Sequence, residues 1–178
     1  MDRYWFLTWT TYGTWLPGDK RGFVSDVGDD RAGKGVRHNV PGTEYDADHA
    51  GLRRYMAERL KCAPVYLNRE QAVALLPQLL ETGEYRHWLM LAVAIMANHT
   101  HVVVGVPGDL DPESLLRDLK SYGSRKLNQG WGKPPSGTWW TQSGSKRKLP
   151  VDPAVVATVK YVYEEQEFPL VSWKREGH

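Results

Sequence analysis

At 178 residues the chain is long enough for one domain with a sizeable core and short for two. An apolar fraction of 41% excludes wholesale disorder, and a net charge of only +2 means that any basic surface must be local. The single cysteine, Cys62, excludes an intramolecular disulfide and a Cys-rich zinc site.

The N-terminus, Met1-Asp2-Arg3-Tyr4, has no basic segment followed by a long apolar run. No secretory signal is expected, and no stretch approaches the roughly 20 apolar residues of a membrane span. The expectation is a cytoplasmic protein without a membrane partner. Residues 4–12 are aromatic and β-branched and predict a central strand, ended by Leu16-Pro17-Gly18-Asp19. Residues 18–47 are polar, Gly- and Asp-rich and aperiodic, and predict a long loop within a single domain spanning 1–178. Helical spacing follows over 48–61, with Leu52, Tyr55, Met56 and Leu60 on one face. Asn68 and Gln71 have the spacing of a capping box, and the helix they open runs to about Glu84, kinked or split at Pro77.

Residues 88–95 and 99–106 predict two strands joined by a short turn. Asp111-Pro112 and Asp152-Pro153 each place an N-cap before a first-turn proline. They start a helix with a stripe of Leu115, Leu116, Leu119 and Tyr122, and a last helix running to about Glu167. Between them, 130–145 reads as a loop. One antiparallel sheet with helices packed on it, an α+β domain, is the predicted architecture.

His99 and His101 carry the clearest chemistry. On a strand, residues i and i+2 face the same way, so the two imidazoles stand side by side and could share one metal ion. The plainer reading of a bare H-x-H is a pair that only hydrogen-bonds on a sheet face. Lys146-Arg147-Lys148 forms a basic cluster, and the preceding helix adds Lys120, Arg125 and Lys126. Such a run is commonly only a solvated face. Beside Trp139 and Trp140 it could also be a strip for phosphates, with rings on which unpaired bases stack. The chain has neither a phosphate-binding G-x-x-x-x-G-K-[ST] loop nor a G-x-S-x-G elbow, so no nucleotide cofactor is expected.

The segment Ile95-Met96-Ala97-Asn98-His99-Thr100-His101-Val102-Val103-Val104 closely resembles the M-P-N-H-x-H segment of the insertion-sequence-200-type single-tyrosine transposases and the related REP-associated tyrosine transposases. The likeness continues in order. An aromatic first strand ends near Gly13-Thr14-Trp15, a helix carries 119–127, Trp139-Trp140-Thr141 precedes the basic run, and a last helix carries 160–166. Ala97 stands where proline is common, and Thr100 where a hydrophobic residue is usual.

The resemblance implies a ferredoxin-like HUH endonuclease fold and a substrate of single-stranded or hairpin DNA. The nucleophile it implies is Tyr161 on the last helix, with a polar residue one turn later completing a Mg²⁺ or Mn²⁺ site. On a helical wheel Glu165 lies about 40° from Tyr161 and Gln166 about 140° away, so Glu165 is preferred as third ligand and Gln166 is the second choice. The implied chemistry is cleavage and rejoining through a 5′-phosphotyrosine. The family includes homodimers that exchange the tyrosine helix. Two rival readings remain: a domesticated DNA-binding relative that no longer cuts, and an unrelated H-x-H metal hydrolase.

Overall fold

The structure is a computed structural model and describes residues 1–16, 50–150 and 152–177. The predicted loop over 18–47 lies wholly outside the described residues. The chain divides into two units, Met1–Tyr12 with Val65–His178, and Gly13–Pro64.

The larger unit is built on strand β1 (Arg3–Thr10), helix α2 (Arg69–Tyr85), strands β2 (Leu89–Ile95) and β3 (His99–Val106), helix α3 (Pro112–Trp131), strand β4 (Ser145–Leu149), helix α4 (Asp152–Glu164) and strand β5 (Val171–Lys174). All strand pairs are antiparallel, in the order β4-β1-β3-β2-β5. The first four strands with α2 and α3 follow the strand-helix-strand-strand-helix-strand path of ferredoxin-like domains. Helix α4 and strand β5 are additions to it. The α+β architecture expected from the sequence is the one observed.

Alternation along the strands sorts their side chains onto two faces. Leu7, Trp9, Val93, Ile95, Val102 and Val104 point into a core shared with Leu75 and Leu79 of α2 and Leu115, Leu116 and Leu119 of α3. Leu91, Ala92, Ala94 and Val103 point the other way. Val155, Val159 and Val162 of α4 cover them. At roughly 1.5–3 kcal/mol for each fully buried aliphatic side chain, those three valines hold α4 on the sheet.

Local signals explain the helices. Asn68 Oδ1 accepts from the Gln71 amide and Gln71 Oε1 accepts from the Asn68 amide, closing the predicted capping box. Helix α2 continues through Pro77 as one helix and is not split there. The Asp111 carboxylate accepts from the Glu113 amide with Pro112 at the first helical position. Two strands were not expected. β4 replaces the end of the predicted 130–145 loop and the basic run after it, and β5 follows α4. The last helix stops at Glu164, three residues short of its predicted end.

The smaller unit contains helix α1 (Ala50–Glu58), which has no fully buried residue. Leu52, Met56 and Leu60 are half-buried, while Tyr55 is exposed beneath the Arg59 guanidinium, 4.1 Å from its ring centroid. Among the described residues no helix is long and apolar enough to cross a membrane.

Candidate functional site

The site lies on the sheet face that α4 covers, at the edge of that cover. Register fixes its floor. Thr10 pairs with His99, Thr8 with His101 and Phe6 with Val103, so both histidines, both threonines and Phe6 share one face. The ring centroids of His99 and His101 are 4.7 Å apart. His101 is only 7% exposed, whereas His99, at the mouth of the turn, is half-buried.

Hydrogen bonds orient both rings. Asn98 Oδ1 can only accept, so His99 Nδ1–H donates to it, at 2.7 Å. His101 Nδ1 is hydrogen-bonded to Thr8 Oγ1 at 2.7 Å. Burial, with a smaller contribution from the neighbouring His99, lowers the His101 pKa to about 3, so this imidazole is neutral near pH 7. A neutral imidazole tied at Nδ1 by a polar partner, as His101 is, suits a divalent transition-type cation. The pair therefore fits a metal ion as two nitrogen donors. Among the described residues no third His, Cys, Asp or Glu gathers with them.

Tyr161 joins the pair from α4. Its ring lies 5.9 Å from that of His101 and 6.1 Å, edge-on, from that of Phe6, and it is 41% exposed. Phe6 is itself 5.1 Å from His101, so it fills the corner between the histidine and the tyrosine. The competing tyrosines are elsewhere. Tyr163 is turned toward β5, with Lys174 Nζ 4.7 Å from its ring centroid. Tyr122 sits on α3, on the far face, under the Arg125 guanidinium at 5.0 Å.

Other expected residues are placed differently. The wheel argument for Glu165 assumed a helix reaching about Glu167. Because α4 ends at Glu164, Glu165 is an exposed residue of the following bend, and only its amide, 3.2 Å from the Tyr161 carbonyl, continues the helical pattern. Gln166 turns back to cap the same carbonyl, donating from Nε2 at 3.0 Å.

Trp139 and Trp140, expected to offer rings to bases, are 5% and 4% exposed and belong to the core under α2 and α3. Trp139 Nε1 donates to Asn128 Oδ1 at 2.9 Å and Trp140 Nε1 to the Lys120 carbonyl at 3.0 Å. No ring face is left for a base, which corrects that expectation. Lys120 is likewise structural. Its Nζ donates to the carbonyls of Thr141, Gln142 and Ser143 at 2.5, 2.9 and 3.3 Å. Burial lowers its pKa to about 8, with Glu113 opposing and Lys146 adding to the shift. Arg125 and Lys126 lie on α3, across the sheet from Tyr161.

The basic run is strand rather than loop, and its register splits it. Lys146 pairs with Leu7 and Lys148 with Trp5, on the α3 face, where Lys146 forms an ion pair with Glu113. Arg147 pairs with Phe6, on the histidine face. Thr8, Phe6 and Asn98 were missed as site residues. The signal for the first was present, since Thr8 and Thr10 alternate with the apolar Leu7 and Trp9 along β1.

No family model and no curated protein matches the chain. Among solved structures it is similar to a REP-associated tyrosine transposase bound to a REP hairpin, with 13% identity and a TM-score of 0.49 over 92% of this chain and 66% of that one. It is also similar to a protein from Deinococcus radiodurans R1 proposed to be a transposase, with 15% identity and a TM-score of 0.47 over 88% and 85% of the two chains. The chain thus spans about two thirds of the length of the first of these structures.

Proposed function

We propose that the chain is a transposase-type enzyme that cuts and rejoins single-stranded DNA, with Tyr161 as nucleophile beside a divalent cation on His99 and His101. The observation that carries this reading is the convergence of a histidine pair on β3 with a tyrosine on α4, far along the sequence. His99, His101 and Tyr161 meet at one corner of one sheet face, with ring separations of 4.7 and 5.9 Å. That placement suits in-line attack of a phenol oxygen on a phosphorus whose developing charge is offset nearby.

In this reading the phenol attacks the scissile phosphorus, the 3′-oxygen leaves with a proton, and the 5′-phosphate stays on Tyr161. Attack by a 3′-hydroxyl reverses the step, so joining needs no nucleotide cofactor. A free phenol has a pKa near 10, so its proton has to be drawn off as the bond forms. The cation, Mn²⁺ or Mg²⁺, supplies Lewis-acid polarisation of the phosphate; two imidazoles favour Mn²⁺ of the two. Glu165 and Gln166, the first residues beyond α4, are the proposed sources of a third donor. Tyr161 stands next to the His101 of its own chain, so the proposed arrangement works in cis and does not need an exchanged helix. Hairpin DNA is the proposed substrate, on the sequence resemblance to hairpin-reading transposases.

The test is a denaturing gel of the protein incubated with labelled single-stranded DNA from the gene's own flanks, with and without Mn²⁺. A covalent adduct that needs Mn²⁺, is lost in Tyr161→Phe and persists in Tyr122→Phe and Tyr163→Phe is the expected result. DNA binding without cleavage would favour a non-catalytic binding protein. Cleavage without any adduct would make water the nucleophile and end the transposase reading.

A further inference from the structure

The sheet face that carries the histidines also carries two cations on its outer strands, Arg147 on β4 and Lys174 on β5. They lie in one row across the sheet, Arg147–Phe6–Val103–Ala92–Lys174, because each neighbouring pair is in register. Lys174 is occupied. Its Nζ is 3.6 Å from Glu164 Oε1 and sits over the Tyr163 ring. Arg147 is exposed, and among the described residues no carboxylate pairs with it.

Its position relative to the reacting groups follows from Phe6. Directly paired residues on one sheet face have Cβ atoms about 4.5–5.5 Å apart, so the Arg147 side chain starts beside that of Phe6. Phe6 also neighbours the rings of His101 and Tyr161, at 5.1 and 6.1 Å between centroids. Arg147, by strand pairing, and Tyr161, by ring contact, are therefore both neighbours of Phe6. A guanidinium offers a planar fork of donors that matches two phosphate oxygens, and it keeps its charge at any working pH.

We propose that Arg147 is a DNA-backbone residue of this site. It would grip, through two N–H donors, the phosphodiester adjoining the one that Tyr161 attacks, and so set the register of the strand over the nucleophile. This rests on the single-stranded DNA reading above and deepens it. It also divides the basic run. Lys146 is held by Glu113 and Lys148 projects from the opposite face, so neither belongs to the same grip.

Arg147 and Lys148 make an internally controlled test, because they are adjacent, both exposed and equal in charge, but face opposite ways. Arg147→Met, Arg147→Lys and Lys148→Met are compared for binding of a fluorescein-labelled single-stranded oligonucleotide across a salt series, and for adduct formation with Mn²⁺. Arg147→Met is expected to weaken binding about tenfold at low salt and to lower the log–log salt slope by roughly 0.7, the loss of one single-strand phosphate contact. It should slow adduct formation at least as much. Arg147→Lys should regain most of the slope but not the adduct rate, and Lys148→Met should leave both near wild type.

Equal losses in Arg147→Met and Lys148→Met would reduce the effect to net charge and overturn the proposal. Wild-type adduct formation with no effect of Arg147→Met would overturn it while leaving the transposase reading intact. A selective Arg147 effect on binding, with no adduct in any protein, would keep the grip and remove the cleavage chemistry. Failure of the wild type to bind single-stranded DNA would remove both.

Discussion

Thr8 of the first strand and His101 of the third are joined across the sheet, Oγ1 to Nδ1, at 2.7 Å. The bond holds a nearly buried ring by the nitrogen that a metal would not use. Were His101 to hold a metal through Nε2, Nδ1 would carry the hydrogen and the threonine oxygen would accept it. Thr8→Val keeps the shape of the side chain and removes the acceptor. Mn²⁺ affinity measured by calorimetry should fall roughly 10- to 100-fold, the usual cost of losing an orienting partner. An affinity unchanged by Thr8→Val would show that packing alone orients the ring.

Gly144 lies just before β4 and against β1. A Cβ at this position would meet the Thr8 carbonyl oxygen at 2.6 Å, Leu116 Cδ2 at 2.8 Å and Trp9 Cβ at 3.1 Å. Two of those three contacts are with β1, beside the threonine that orients His101. Gly144→Ala should cost about 1–3 kcal/mol through overpacking and should weaken Mn²⁺ binding as well. Thermal unfolding and metal titration on the same preparation check both effects.

Thr100 is fully buried between the two histidines in sequence but on the opposite face, in the core under α2 and α3. Its hydroxyl finds no hydrogen-bond partner. An unanswered buried hydroxyl costs about 1–3 kcal/mol, so Thr100→Val should stabilise the fold by roughly 1 kcal/mol. That corresponds to about 2–4 °C in Tm for a chain of this size. Metal binding should not change. A lower Tm would mean that the hydroxyl is satisfied, by water for example.

Trp140 packs edge-on against Trp9, with ring centroids 6.2 Å apart, and donates to the Lys120 carbonyl. Trp140→Ala should therefore destabilise by about 3–5 kcal/mol, and DNA binding should fall only as far as the protein unfolds. Denaturant titration separates these effects. Native-like stability with selectively lost DNA binding would restore this residue to a base-stacking role.

Much of this arrangement was legible in the sequence because it rests on periodicity and local end signals. The alternation from His99 to Val104 put both imidazoles on one face, and the Asn68–Gln71 and Asp111-Pro112 pairs marked where helices begin. The β4 strand was not legible. An edge strand needs a partner on one side only, and Ser-Lys-Arg-Lys-Leu has the composition of a solvated loop until β1 pairs with it. Trp139 and Trp140 misled for a related reason. Their neighbours are loop-like, and what buries them is the long-range bridge from Thr11 to Trp140. The choice between Glu165 and Gln166 depended on where the last helix stops, and both lie just beyond its end at Glu164, where the side-chain directions of an ideal helix no longer decide between them.

Helix α4 has two duties, since the residues next to the proposed nucleophile roof the second core. Val162, adjacent to Tyr161, is fully buried with Val159 and Val155 against Leu91, Ala92, Ala94 and Val103. A gene losing its 3′ end before residue 152 would lose the tyrosine and also strip that sheet face bare, leaving an apolar surface prone to aggregation. On the proposed function, a descendant that bound DNA without cutting it would keep α4 as a structural roof and lose only the tyrosine hydroxyl or the histidines beneath it.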